Sequence, residues 1–143
     1  MINFISGIQN TSAALTAERV RMDVISQNIA NANTTRGVDG KPYQRQQVVF
    51  ETLMNQDPGA PAGTEAPQSV RVARIVPDAR PARLIYEPGH PDADADGMVA
   101  MPDINIHEEM ADLIVSSRAF EANLAVVKNA RQMALQTLNI GKH

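Results

Sequence analysis

From Asn105 to Ile140 no Gly or Pro interrupts the chain, and apolar side chains recur at alternating spacings of four and three. Ile106, Met110, Leu113, Ser117, Phe120, Leu124, Val127, Arg131, Ala134 and Leu138 fall on one stripe, and eight of these ten are apolar. A stripe with this repeat belongs to a helix that meets another helix along its length, and it is narrower than the face of an ordinary core helix. Asn105 stands where an N-cap belongs, with Glu108 three residues on as a capping-box acid. Glu108, Glu109 and Asp112 load the first turns with negative charge, which the helix dipole favours. Such a helix is roughly 54 Å long. That is too long to fold back into a compact domain of 143 residues, so the stretch needs a partner.

A second helix is expected from Phe4 to about Asn31. Ile8, Leu15, Met22 and Ile29 lie seven apart, with Phe4, Thr11, Glu18, Ile25 and Ala32 on the companion track. Thr11 and Glu18 make this stripe the weaker of the two. Its end is marked by Asn28-Ile-Ala-Asn31-Ala-Asn33-Thr-Thr-Arg-Gly37, where Asn tolerates the left-handed conformation that closes helices and Gly37 follows as a breaker.

Between the helices the pattern changes. Asp39-Gly40 is a tight-turn pair. Tyr43 to Phe50, Ser69 to Val76 and Arg83 to Tyr86 read as strands, the first confined to an edge by Pro42. Asn55 to Gln68 holds three Pro and two Gly and reads as a loop. Pro88 to Gly97 is rich in turn residues, and Met98 to Pro102 leads into the last helix. The expected fold is mainly α, with long N- and C-terminal helices forming an antiparallel coiled-coil-like pair and a small β-rich insert between them. Its parts are the N-terminal helix at 1–36, the insert at 37–102 with a mobile loop at 55–68, and the C-terminal helix at 103–143. Aromatic residues make up 3% of the chain and Trp is absent, so three short strands of small aliphatics bury little by themselves. The insert therefore packs on the helices or on another molecule.

Composition narrows the function classes. A net charge of −3 without a basic block lacks the footprint of a nucleic-acid binder and disfavours an anionic membrane surface. No Cys is present, which removes disulfides, thiolate metal sites and a Cys nucleophile. No apolar run approaches a membrane span. The first basic side chain is Arg19, so a cleavable secretory signal and direct membrane insertion are not expected. No Ser or Thr sits in a nucleophile elbow and no Gly-rich phosphate loop precedes a helix, so neither catalysis nor a cofactor is expected. Asp92, Asp94, Asp96 and Gly97 reproduce the first half of a calcium-binding EF-hand loop, with Asp103 at the twelfth position. Pro88, Gly89 and Pro91 occupy the place of its entering helix, and Pro102 that of its exit. The reading adopted is an acidic turn whose Asp side chains cap backbone N–H groups, with His90 making a turn hydrogen bond.

Polar residues also interrupt the stripes. If the helices align with both termini at one end, Glu18 lies level with Arg131. Either the two pair at the seam and help fix its register, or each reaches solvent separately.

Several segments resemble one family. Ser6-Gly-Ile, Met22-Asp-Val-Ile-Ser-Gln-Asn-Ile-Ala-Asn-Ala-Asn-Thr34 and Asp39-Gly-Lys-Pro-Tyr-Gln-Arg45 are similar to the N-terminal half of bacterial flagellar basal-body rod proteins. Tyr86-Glu-Pro-Gly-His-Pro-Asp-Ala-Asp-Ala-Asp-Gly97 and Pro102-Asp-Ile-Asn-Ile-His-Glu-Glu-Met110 resemble the proximal-rod members, and Ser117-Arg-Ala-Phe-Glu-Ala-Asn123 and Leu138-Asn-Ile-Gly141 complete the likeness. Asn28, Asn31, Asn33, His90, Pro91 and Asp92 are the motif's turn residues. Met98 and Phe120 stand where the family pattern has Tyr. The resemblance implies a structural subunit exported by the flagellar type III apparatus without cleavage, which polymerises into a hollow shaft crossing the periplasm. It implies as partners copies of the chain, other rod proteins, the rod–ring adaptor and the export apparatus. Packing would run through Ile8, Leu15, Met22, Ile25, Ile29, Met110, Leu113, Phe120, Leu124, Val127 and Leu138. A soluble coiled-coil adaptor and a calcium-binding module using Asp92 to Asp96 are the alternative readings.

Overall fold

In the computed structural model, residues 2–54 and 68–140 are described. Helix α1 spans Ile2–Ala30 and helix α2 spans Ile106–Ile140. Between them lie β1 (Gln46–Met54), β2 (Gln68–Pro77), β3 (Arg83–Tyr86) and β4 (Met98–Met101). The helices contribute 29 and 35 residues against strands of 9, 10, 4 and 4, so a mainly α architecture holds only in part. β4 is the strand that alternation does not announce, because its Met-Val-Ala-Met is apolar on both faces and offers no period. The loop expected at 55–68 lies outside the described residues except for Gln68, which begins β2.

The strands form two separate antiparallel ribbons, β1 with β2 and β3 with β4. In the first, Val49 pairs with Arg74 and Phe50 with Val72, leaving Ala73 as an extra residue that bends the ribbon. In the second, Leu84 opposes Ala100 and Ile85 opposes Val99, whose side chain is fully buried. The ribbon's connection is the turn-rich segment. Gly97 there has φ of 75°, and a Cβ on it would come within 3.0 Å of Tyr86 and 3.1 Å of Pro88, so position and conformation both require glycine.

α1 ends differently from expectation. No non-glycine residue among those described has positive φ, so Asn31 and Asn33 do not close it in the left-handed region. Instead the Asn31 side chain donates back to the Gln27 carbonyl at 2.9 Å, and the backbone continues through turns at Ala32 and Thr34. The Gln27 carbonyl thus accepts from both the side chain and, at 3.0 Å, the backbone N–H of Asn31. α2 starts as expected, with Asn105 Oδ1 accepting from His107 N–H at 3.1 Å.

α2 packs antiparallel on α1, and α1 also contacts both strands of the β1–β2 ribbon. Arg21 meets Asp112 at 4.0 Å and Asn28 meets Glu109 at 3.0 Å. These pairs overturn the register expected from aligned termini, because they bring Glu18 level with about Ser116 and not with Arg131. The helices are aligned at the insert end, where both are anchored, and the longer α2 overhangs at the other.

Candidate assembly interface

Among the described residues a polar joint centred on Asn28 and Glu109 ties the insert to the helix pair. Asn28 is 1% exposed and uses all four of its side-chain hydrogen-bonding positions. Its Nδ2 donates to the Gln46 carbonyl at 2.9 Å and to Glu109 Oε2 at 3.0 Å, while its Oδ1 accepts from Gln46 N–H at 2.9 Å and from the Tyr43 hydroxyl at 3.0 Å. Glu109, also 1% exposed, accepts on its other oxygen from Arg45 Nε at 2.6 Å. Such a buried carboxylate is tolerable because it is paired, hydrogen-bonded and placed in the first turn of α2, where the helix dipole supports negative charge. Arg45 reaches on to Asp78 at 3.4 Å, and Asp78 accepts from Gln47 Nε2 at 2.8 Å and Arg80 Nε at 2.9 Å.

The charges leave their mark on titration. Burial raises the Tyr43 pKa above its usual 10.0, and the Glu109 carboxylate nearby raises it further. Burial pushes the Asp78 carboxyl up, but hydrogen bonds from the Arg80 side chain and backbone, with the charges of Arg80 and Arg45, outweigh it and leave the pKa lowered. The Arg80 guanidinium is held above its usual value mainly by its hydrogen bond to Asp78.

α2 carries its polar and apolar stripes in an unexpected arrangement. The side turned inward is Glu109, Leu113, Ser116, Phe120, Asn123, Val127, Ala130 and Ala134, all buried or half-buried and spaced by four and three. Of the expected stripe, Leu113, Phe120, Val127 and Ala134 belong to this inner side. Ile106, Met110, Leu124, Arg131 and Leu138 are exposed, with Met110 at 50% and Leu124 at 36%. The other half of the inner stripe, Glu109, Ser116, Asn123 and Ala130, escaped the sequence reading because its members are polar or small, which hydropathy assigns to the outside. A further exposed line runs through Val115, Ala122, Val126, Met133 and Ile140, again at helical spacing. α2 therefore presents apolar side chains on two sides that no other part of the described chain covers.

On α1, Ala17, Val24, Ile25 and Asn28 are buried, whereas Ile8, Leu15, Met22 and Ile29 are half-buried. Glu18 and Arg131 form no ion pair among the described residues; Arg131 is exposed, and Glu18 Oε2 is buried without a hydrogen-bond partner. The anticipated register pair is replaced by Arg21 with Asp112 and, deeper, by Asn28 with Glu109.

The acidic turn is organised by hydrogen bonds. His90 Nδ1 accepts from Asp92 N–H at 3.1 Å, and Asp94 Oδ1 accepts from the N–H groups of Asp96 and Met98 at 3.0 and 2.8 Å. Asp92 accepts from Thr35 Oγ1 at 2.8 Å and faces Arg36 at 3.6 Å, which fastens the turn to the segment after α1. Pro91 and Asn33 are exposed. With Asp92 and Asp94 engaged in this way, the turn has the chemistry of a structural clasp.

The comparisons with known proteins fall on the same parts. The sequence model of the family described as "Flagella basal body rod protein" matches residues 8–36, and that described as "Flagellar basal body rod FlgEFG protein C-terminal" matches residues 95–140. Among curated relatives, a flagellar basal-body rod protein FlgC of Borreliella burgdorferi is 43% identical, over 94% of this chain and 95% of its own. FlgC of Escherichia coli is 41% identical over 91% of this chain and 92% of its own, and FlgC of Bacillus subtilis 38% over 92% and 94%.

Proposed function

The chain belongs to the FlgC family of flagellar basal-body rod proteins, and we propose that it builds the proximal rod by packing the outward stripes of its helices against neighbouring subunits. It is a structural rod subunit and not an enzyme. The observation that carries the mode of assembly is the mismatch on α2. Its inner side mixes polar and small residues with Leu113, Phe120 and Val127, while Ile106, Met110, Leu124, Leu138, Val126 and Met133 face outward. No other part of the described chain covers these two apolar lines, so they are open to burial by other molecules, and a head-to-tail contact of this kind continues into a polymer. Ala119 and Ala122 on one of these sides give room for close helix approach.

The partners that fit are copies of the chain and other rod proteins along the shaft, the rod–ring adaptor at its base and the type III export apparatus that delivers it. The rod so formed lies across the periplasm. No helix among the described residues is long and apolar enough to cross a membrane. The domain division follows the same logic, with 1–36 and 103–143 as the axial helical part and 37–102 as the part turned towards neighbouring subunits.

The decisive experiment places Leu124→Asp in cells lacking the native gene and isolates basal bodies. The expected outcome is normal expression with no incorporation. Full incorporation of Leu124→Asp overturns the assignment of this stripe to assembly.

A further inference from the structure

The β3–β4 ribbon closes one apolar face inward and leaves another outward. Ile85 and Val99 turn in, Val99 with no exposure at all. The residues that alternate with them are Leu84 and Tyr86 on β3 and Met98 and Ala100 on β4. Leu84 pairs with Ala100 and Tyr86 with Met98, so all four share the outward face. A ribbon with one solvated face ordinarily sets polar residues there. Here Leu84 is 63% and Tyr86 69% exposed, and no polar side chain stands between them on that face. The rim is charged by ends. Glu87, Asp94 and Asp96 are exposed beyond Tyr86, whereas Arg83 is exposed beside Leu84. Among the described residues neither Glu87 nor Asp96 forms an ion pair.

The end of α2 has the complementary chemistry. The register carries its last turns past the start of α1, and Leu135, Leu138 and Ile140 are exposed there. Lys128 and Arg131 are exposed on the turns before, and no Asp or Glu follows Glu121 in the chain. The ribbon and this helix end lie at opposite ends of the helix pair, so one chain cannot bring them together. We propose that the outward face of the β3–β4 ribbon seats the end of α2 from a second copy of the chain. The proposal rests on the rod reading and names the surface that receives the helix. Leu138 lies roughly 10 Å beyond Arg131 along a helix, and Glu87 roughly 10 Å beyond Leu84 along a strand, so Leu138 covers Leu84 while Arg131 reaches Glu87. The reverse direction sets Arg131 against Arg83, so charge fixes the orientation. Such a contact joins unlike surfaces and repeats from copy to copy.

The chain has no Cys, so introduced thiols report this contact alone. Leu84→Cys with Leu138→Cys is placed in cells lacking the native gene, and isolated basal bodies are oxidised mildly and run on a denaturing gel without reductant. The expected result is a reducible species of two copies' mass that neither single variant gives. A chain that stays monomeric, or a crosslinked species of another mass, overturns the second copy as occupant. Tyr86→Cys with Leu135→Cys lies at the neighbouring level and replaces the first pair if that pair is not incorporated. Adding Arg131→Glu should abolish the crosslink, and adding Glu87→Lys to that chain should restore it; crosslinking that ignores both charge changes also overturns the seat. Absence of the unaltered chain from basal bodies sinks the rod reading itself, whereas its presence without a crosslink sinks only this contact.

Discussion

Asn28 lies in a stretch whose Asn residues look, in sequence, like helix-ending turn formers, yet its side chain holds two helices and a strand together. Four hydrogen bonds converge on one amide, and no other side chain of that size has two donors and an acceptor in the same plane. Asn28→Ala strands the Gln46 N–H, the Tyr43 hydroxyl and one Glu109 oxygen at once. The expected loss is about 2–4 kcal/mol in urea unfolding. Asn28→Asp sets a second carboxylate against Glu109 and is expected to cost at least as much. A pH measurement reads the same joint. The Tyr43 pKa is raised in the folded chain, so its contribution is fully present below the usual tyrosine value of 10.0 and is lost as pH rises through the higher folded value. Alkaline unfolding should therefore steepen above pH 10.0, and Tyr43→Phe should flatten that limb. Asp78 works in the opposite direction. Its lowered pKa gives stability that is present above the usual 3.8 and is lost as pH falls through the folded value, so Asp78→Asn should flatten the acid limb.

At the scale of elements, α2 joins a stripe that closes on α1 to stripes that stay exposed, and the two kinds respond differently to substitution. Phe120 is half-buried on the inner side, so Phe120→Ala should destabilise the free chain by about 2 kcal/mol. Met110 and Leu124 are exposed, and charges there should change the free chain by no more than about 0.5 kcal/mol while preventing incorporation into rods. Equal losses of stability for Phe120→Ala and Met110→Asp would show that the assignment of inner and outer sides is wrong. The β3–β4 ribbon depends on one residue in a similar way. Gly97→Ala meets Tyr86 and Pro88 in a left-handed backbone, and it should lower the thermal midpoint.

At the scale of the whole molecule, the insert contacts the helix pair through the β1–β2 ribbon on α1 and through the chain Asn28–Glu109–Arg45–Asp78–Arg80. Arg45 and Glu109 should be strongly coupled in a double-mutant cycle. Arg45→Ala leaves the buried Glu109 charge without its ion-pair partner at a cost of about 3 kcal/mol, Glu109→Ala costs less because Arg45 keeps Asp78 at 3.4 Å, and the pair of changes should cost clearly less than the sum. Additive losses would remove this ion pair from the joint. Much of this architecture was legible in the residues alone. Gly- and Pro-free periodic stretches give helices, Asn105 caps the second, alternating Val and Arg give β2, and the His-Pro-Asp turn together with the Asn-rich helix end pointed to the rod family. These features depend on interactions within a few residues, which a local pattern records. The side of α2 that faces α1 was decided only by the tertiary structure. The expected and observed stripes share Leu113, Phe120, Val127 and Ala134 and differ by a small rotation about the helix axis. That rotation is set where Glu109 meets Arg45 and Asn28, residues 64 and 81 positions away in the chain. Hydropathy measures how apolar a stripe is and carries no information about which surface will cover it, so the stripe that looked like the inside of the subunit is divided: Leu113, Phe120, Val127 and Ala134 close inward, and Ile106, Met110, Leu124 and Leu138 lie on the outside.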